Sequence, residues 1–442
     1  MTGTVLIFDA KRNRRLLALA LPMILSNVTV PLLGLVDTAV IGHLSNAYYL
    51  GGVALGSTII TLIFWLLGFL RMATTGLVAQ AWGANDTQRQ FQLLLQGASL
   101  TLLLSLSILL LQGPILSLAL AMTDASSDVI KYCQEYFQIR IWSAPFALLN
   151  LVLLGYLLGR QQPKAAMWQL IIANCINIAL DLLLVIGLDW GVKGAALASV
   201  IADIAAMMVA LTMVHKQLKQ QGGFHLMEQL WALHPAGYSQ LLRLNTDIFV
   251  RSLCLQAAFA FMTFHGASLG DNTVAANAVL LNLLLLISYA LDGIAYYAEA
   301  ETGRTWGNKD ITELRNTVTL AFQWSAIAAA GFSLLFLACG ELIIRTLTNI
   351  TPVQALAIDY LPWLIGMPLL AFGSYLFDGV YIGTAQGRIM RNSMLFCTLA
   401  VFFPVWWVLQ SLGNSALWAA MSAFMLARSL TLGLHYRLVL SR

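Results

Sequence analysis

The sequence predicts an all-α membrane protein of 12 transmembrane helices in two six-helix bundles related by a pseudo-two-fold axis along the membrane normal. Three observations carry this. The 442 residues are 59% hydrophobic and 10% charged, with a mean hydropathy of +0.79, whereas soluble domains are about a quarter charged. Long Leu-rich runs recur with short polar breaks. Chain in contact with lipid must satisfy its own backbone hydrogen bonds, and without ten-residue alternation such runs are helices. Finally, residues recur at a constant spacing of 224: Gly42 and Gly266, Trp82-Gly83 and Trp306-Gly307, Asp86 and Asp310, Tyr136 and Tyr360, Gly155 and Gly379, Gly159 and Gly383. A duplicated unit with an even number of helices keeps one orientation in both copies.

The elements follow in order. The first span, near residues 16–42, comes after the basic stretch Lys11-Arg12-Asn13-Arg14-Arg15 and has no small-residue cleavage site, so it reads as a span and not as a leader. It contains Pro22 and Pro31, each of which removes a backbone hydrogen bond and can kink the helix. Spans near 49–72, 90–118, 130–160, 164–188 and 192–216 complete the first half. The second half has spans near 240–265, 272–300, 311–340, 352–386, 391–411 and 414–436. The expected division is a bundle at 1–216, a cytoplasmic linker at 217–240, polar by the standards of this chain, and a bundle at 241–442. With the N-terminus inside, 17 of the 24 basic residues fall at cytoplasmic ends and three (Lys131, Lys193, Arg345) fall outside. That bias places both termini in the cytoplasm and supports the count, because one missed span would invert every later loop.

Twelve spans leave no room for a large soluble domain, which excludes a cytosolic enzyme, a secreted disulfide scaffold and a nucleic-acid-binding module. The five cysteines are scattered without a C-x-x-C pair, and the six histidines form no H-E-x-x-H. No metal site of nitrogen and sulfur ligands is expected. No Ser/His pair or paired-Asp motif lies at membrane depth, so catalytic residues and cofactors are not expected either.

Charge inside a bilayer is costly and points to function. Asp37 on the first span and Asp181 on the fifth both lie in the outer half, at depths about 6 Å apart by helical rise. Asn174, Asn177 and Asp181 are spaced three and four apart and form one stripe on the fifth helix. Ser199 and Asp203 enter from the outer end of the sixth helix, and Asn150 on the fourth joins them. The first half is therefore expected to hold a polar chamber with two carboxylates. Desolvation and a neighbouring carboxylate both favour a protonated acid, so such a pair can load and release protons near neutral pH. The second half differs. Phe261 stands 224 residues beyond Asp37, while Asp247, Arg251, Asp292 and Asp378 gather in the inner half. This mixed-sign group is read as an ion-pair cluster forming structural glue or an inner gate, with a second cation site as the alternative.

The stretches Leu21-Pro22-Met23-Ile24 and Pro31-Leu32-Leu33-Gly34-Leu35-Val36-Asp37-Thr38-Ala39-Val40-Ile41-Gly42 resemble the first-helix signature of multidrug and toxic compound extrusion (MATE) transporters. Asn177-Ile178-Ala179-Leu180-Asp181, Gly194-Ala195-Ala196-Leu197-Ala198-Ser199 and Gly155-Tyr156-Leu157-Leu158-Gly159 resemble motifs of that family's fifth, sixth and fourth helices. Arg71-Met72-Ala73-Thr74-Thr75-Gly76 and Met390-Arg391-Asn392-Ser393-Met394 resemble its DinF subfamily.

The resemblance implies two bundles around a V-shaped cleft in a bacterial inner membrane, and export of drugs or toxic organic cations driven by inward cation flow. It implies proton coupling through Asp37, bending of the first helix at Pro22, and a polar network of Asp181, Asn177, Asn150, Ser199 and Tyr136. Sodium-coupled relatives keep acids in the second bundle, where Asp378 matches one such position but Asp247 and Arg251 depart from the pattern. A lipid-linked precursor flippase is the other alternative. No nucleic-acid partner is expected, and the protein is expected to act as a monomer.

Overall fold

The computed structural model describes residues 9–42, 47–123, 126–220 and 237–440. Their side chains are described except at residues 28, 30–32, 34–35, 37–39, 41–42, 47, 220 and 439–440. The described residues form helices and no strands. Eleven of the described helices are long and apolar enough to cross a membrane. The 33-residue helix Ala10–Gly42 precedes them. In chain order they are α1 (Ala10–Gly42), α2 (Tyr48–Gly83), α3 (Thr87–Leu110), α4 (Ser127–Gly159), α5 (Pro163–Gly187), α6 (Gly191–Lys219), α7 (Tyr238–Ser268), α8 (Asp271–Gly307), α9 (Ile311–Leu347), α10 (Thr351–Gly383), α11 (Gly387–Leu412) and α12 (Asn414–Leu438). This is the expected order of spans. One boundary differs: the third apolar run divides into α3 and a separate short helix, Gln112–Ala121. Of the expected linker, residues 221–236 lie outside the described residues.

Exposed leucines identify the surface that faces lipid. Leu102, Leu103, Leu106 and Leu110 on α3, and Leu334, Leu335 and Leu337 on α9, are all exposed. Water would not tolerate apolar faces of this extent, but a bilayer covers them without cost.

The duplication is visible in the packing. A Cβ on Gly155 of α4 would stand 2.5 Å from the Arg71 carbonyl oxygen of α2. A Cβ on Gly379 of α10 would stand 2.5 Å from the Ala295 carbonyl oxygen of α8. One turn on, Gly159 lies against the Thr75 carbonyl and Gly383 against the Glu299 carbonyl. These are small-xxx-small contacts that let two helix backbones touch. The glycines and the carbonyls they face are both 224 apart, although the residues bearing those carbonyls differ in identity. The turns agree as well. Asp86 caps α3 by accepting from the Arg89 N–H at 2.8 Å, and Asp310 caps α9 by accepting from the Glu313 N–H at 2.9 Å. Left-handed residues occur at equivalent places, Asn85 with Lys309 and Gln161 with Ala385.

Internal contacts divide the chain into two units, Leu25–Leu242 and Met1–Ile24 together with Arg243–Arg442. The expected ranges kept all of α1 in the first half, whereas its described start packs with the second. Arg12 makes two parallel bonds to Glu313 of α9, both 2.9 Å. Arg15 pairs with Glu301 of α8 at 3.0 Å, and Glu301 also holds Arg304 at 2.6 Å. The Trp324 indole donates to Asn13 at 3.0 Å. The start of α7 belongs to the other unit: Tyr238 bonds Ser99 of α3 at 2.8 Å, and Arg89 donates to Gln240 at 3.4 Å. Glu313 and Arg89 occupy equivalent positions, so each repeat's third helix holds the start of the other repeat's first helix. The contact is an ion pair in one case and a guanidinium-to-amide hydrogen bond in the other.

Candidate functional site

Within Leu25–Leu242 a cavity of about 410 Å³ opens between α1, α2, α4, α5 and α6. Its polar lining includes Ser57, Thr61, Tyr136, Arg140, Asn174, Asn177, Ser199 and Asp203, and its apolar lining includes Leu33, Ile60, Phe64 and Trp65. The stripe expected on α5 points two of its members here. Asn177 donates to Ser199 of α6 at 3.1 Å. Asn174 donates to the Thr29 hydroxyl of α1 at 2.6 Å, and that hydroxyl donates to the Ser26 carbonyl at 2.6 Å. Helical spacing explains both contacts, since residues three apart share a face.

Asp181, the third member, is 3% exposed and stands four residues beyond Asn177. The helix changes directly after it into a π segment, Leu182–Gly187, a widening common at functional positions. Tyr136 is buried and packs in one cluster with Val40 of α1 and Val185 of α5. Asn150 joins from a turn away: it donates to the Asp203 carbonyl at 2.9 Å and accepts from buried Gln169 at 3.0 Å.

Position 37 of α1 is one turn beyond cavity-lining Leu33 and three residues before Val40. The side chains of Pro31 and Asp37 themselves lie outside the described residues. Pro22 is buried, and the helix runs through it without interruption.

Sequence reasoning missed Arg140. It pairs with Asp203 at 2.7 Å and also bonds Ser143, and its guanidinium lies over the Phe64 ring, 5.4 Å from the centroid. Here α4 is jointed, with a helix ending at Arg140, a 3-10 turn over Ile141–Ser143, and a second helix with Pro145 in its first turn. The available signal was a basic residue inside a span, one turn beyond Tyr136.

In the second unit, Asp378 accepts from Arg251 at 2.5 Å and from Arg428 at 2.9 Å. Asp247 accepts from Arg391 at 2.6 Å. The expected cluster around Arg251 thus includes two further arginines, Arg428 and Arg391, that the sequence reading left out. Asp292 is half-buried and acts electrostatically on the Tyr289 and Tyr375 hydroxyls; Tyr375 also lies in the field of Asp378 and Arg428. At the position equivalent to Asp37, Phe261 sits edge-on to Phe402, Phe403 and Trp406. At this position the second half carries an aromatic cluster where the sequence of the first half has an aspartate. Among the described residues, no group of three or more His, Cys, Asp or Glu side chains could hold a metal ion.

Comparison with known proteins gives a consistent result. The MatE family model matches residues 22–183 and 248–408, one stretch in each half. The chain is 45% identical over 431 residues to DNA damage-inducible protein F of Escherichia coli K12, covering 97% of this chain and 93% of that protein. It is 26% identical over 390 residues to human multidrug and toxin extrusion protein 1, covering 86% of this chain and 64% of that protein. Solved structures described as MATE in the bent conformation (18% identity, TM-score 0.88) and in the straight conformation (19% identity, TM-score 0.87) each cover 97% of this chain and are covered to 96%; they share its fold. On the family match and the 45% identity, the chain belongs to the MatE family.

Proposed function

We propose that this protein is an antiporter of a bacterial inner membrane that exports amphipathic drugs or toxic organic compounds by alternating access. It acts as a monomer, with both termini in the cytoplasm, and inward proton flow drives it. The observation that carries this reading is the contrast between the two units. In Leu25–Leu242 a drug-sized cavity is lined by Asn174 and Asn177 of α5, the helix that also bears buried Asp181, together with Ser199 of α6 and Tyr136 of α4, within a turn of position 37 of α1. In the other unit two of the three candidate acids are already engaged by arginine, Asp378 by Arg251 and Arg428, and Asp247 by Arg391. A cation entering there meets guanidinium groups. That favours proton coupling through the first unit over a sodium site in the second. It also disfavours a flippase for anionic lipid precursors, because the one arginine of the cavity lining is paired with Asp203.

In this scheme Asp37 takes a proton from the outer side. Neutralising it removes the charge that holds a cationic substrate, and α1 bends at Pro22, closing the chamber and releasing the substrate. The polar residues Asn177, Ser199, Asn150 and Asp181 keep the surrounding helices in register. Two conformations described for a structural relative, bent and straight, support a fold with two states.

The test uses proteoliposomes carrying wild type or Asp37→Asn, loaded with ethidium and given a pH gradient without sodium. Wild type is expected to transport and Asp37→Asn to lose transport while remaining folded. Normal transport by Asp37→Asn, or a strict sodium requirement in wild type, would refute the proposal.

A further inference from the structure

We propose that Arg160, at the end of α4, binds a phosphate-ester anion, and that an anionic phospholipid headgroup of the cytoplasmic leaflet occupies the site. The proposal does not depend on the transport chemistry above and takes only the side of the membrane from it. Arg160 is 5% exposed. It follows directly on Gly159, whose contact with the Thr75 carbonyl draws this end of α4 onto α2. Its guanidinium lies over two rings, 5.1 Å from the centroid of Trp82 on α2 and 5.6 Å from that of Tyr156. Nη1 donates to the Tyr156 hydroxyl at 3.3 Å. Nε is buried without a hydrogen-bond partner. Among the described residues no carboxylate pairs with Arg160, and Nη2 has no partner either.

A desolvated cation without a counter-charge is costly, and two ring faces with one long neutral hydrogen bond offset only part of that cost. The second half shows the same fold supplying its own counter-charge. Thr384 stands 224 residues beyond Arg160, and α8 carries buried Glu299 and Glu301 where α2 carries Thr75 and Leu77. There Glu301 holds Arg15 and Arg304. In the first half those acids are missing from α2, and Asp86, in the turn after Trp82, is exposed and caps the Arg89 N–H. The counter-charge of Arg160 therefore comes from outside the chain. The Nε–Nη2 edge is a planar two-donor fork that matches two oxygens of one phosphate, and Nη2, unlike Nε, is not buried. In the proposed orientation this end of α4 faces the cytoplasmic leaflet, at the depth where tryptophans and lipid headgroups meet.

The test measures melting midpoints of the purified, delipidated full-length protein in neutral detergent. Each is measured alone and with phosphatidylglycerol, phosphatidylcholine or inorganic phosphate, for wild type, Arg160→Gln, Arg160→Lys and Lys309→Gln. Lys309 is an exposed lysine after α8 and controls for surface charge. Wild type and Lys309→Gln are expected to gain about 5 °C at saturating phosphatidylglycerol. Arg160→Gln should gain nothing, and Arg160→Lys, which keeps the charge without the fork, less than half as much as wild type. Each shift is read against the same variant without lipid, so a general loss of stability cancels. Arg160→Lys carries the test if Arg160→Gln fails to fold. A gain with phosphatidylglycerol and none with inorganic phosphate assigns the anion to the bilayer. An equal gain with inorganic phosphate keeps the phosphate site and overturns the lipid occupant. No gain in wild type, an equal gain with phosphatidylcholine, or an equal gain in Arg160→Gln overturns the site.

Discussion

Asp378 holds two buried arginines in the second unit, and its removal should be costly. Its carboxylate accepts from Arg251 and Arg428, which are 6% and 1% exposed. Asp378→Asn would preserve shape and leave two buried guanidiniums facing a neutral amide. Net charge at this point would rise from one positive to two. Breaking a buried pair by removing one partner costs about 3–5 kcal/mol, mostly because the remaining charge stays desolvated. At roughly 2–4 °C per kcal/mol for a unit of this size, the melting midpoint should fall by about 10 °C. The assay is thermal unfolding of purified protein in detergent, for wild type, Asp378→Asn and the double variant Arg251→Gln with Asp378→Asn. The double variant restores a single buried positive charge and should melt above Asp378→Asn. If Asp378→Asn melts within about one degree of wild type, the carboxylate does not hold these arginines together. A sodium-dependent rise in the wild-type midpoint that vanishes in Asp378→Asn would identify a cation site and refute the ion-pair account.

The remaining predictions concern packing and the start of α1. Gly155→Ala and Gly379→Ala each place a Cβ 2.5 Å from a carbonyl oxygen of the neighbouring helix, and each should destabilise by about 1–3 kcal/mol in thermal unfolding. Gly331→Ala, with no atom within 4 Å of its Cβ, should be neutral or stabilising by up to about 1 kcal/mol. Equal melting of all three would refute the close-approach account. The Arg12–Glu313 pair is about a quarter exposed on both sides, so Arg12→Glu alone should cost about 1 kcal/mol. The swap Arg12→Glu with Glu313→Arg should recover most of it; an additive loss would show that the two residues do not interact.

Much of the first unit's site was legible because helical spacing is arithmetic. Asn174 and Asn177 stand three apart, and both reach the cavity. Asp247 and Arg251 also stand four apart on one helix, yet the bonds of 2.5 and 2.6 Å run from Arg251 to Asp378 and from Arg391 to Asp247, across 127 and 144 residues. Spacing along one helix says which side chains share a face and nothing about which helix that face meets. Arg140 was passed over for the same reason: its acid partner stands 63 residues away on another helix.

By itself the sequence determined the membrane class, the twelve long helices in order and the duplicated halves. Those features depend on local quantities: hydropathy over a span, breaks between spans, and a repeat at constant spacing. Tertiary structure decided which charges are engaged and which polar groups line the cavity. It also decided that the start of α1 packs with the second half through Arg12 and Glu313. These depend on distances between helices far apart in the chain. In a low-dielectric interior a buried charge is stable only where a partner lies within a few ångströms, so pairing, unlike spanning, is settled by the packed structure.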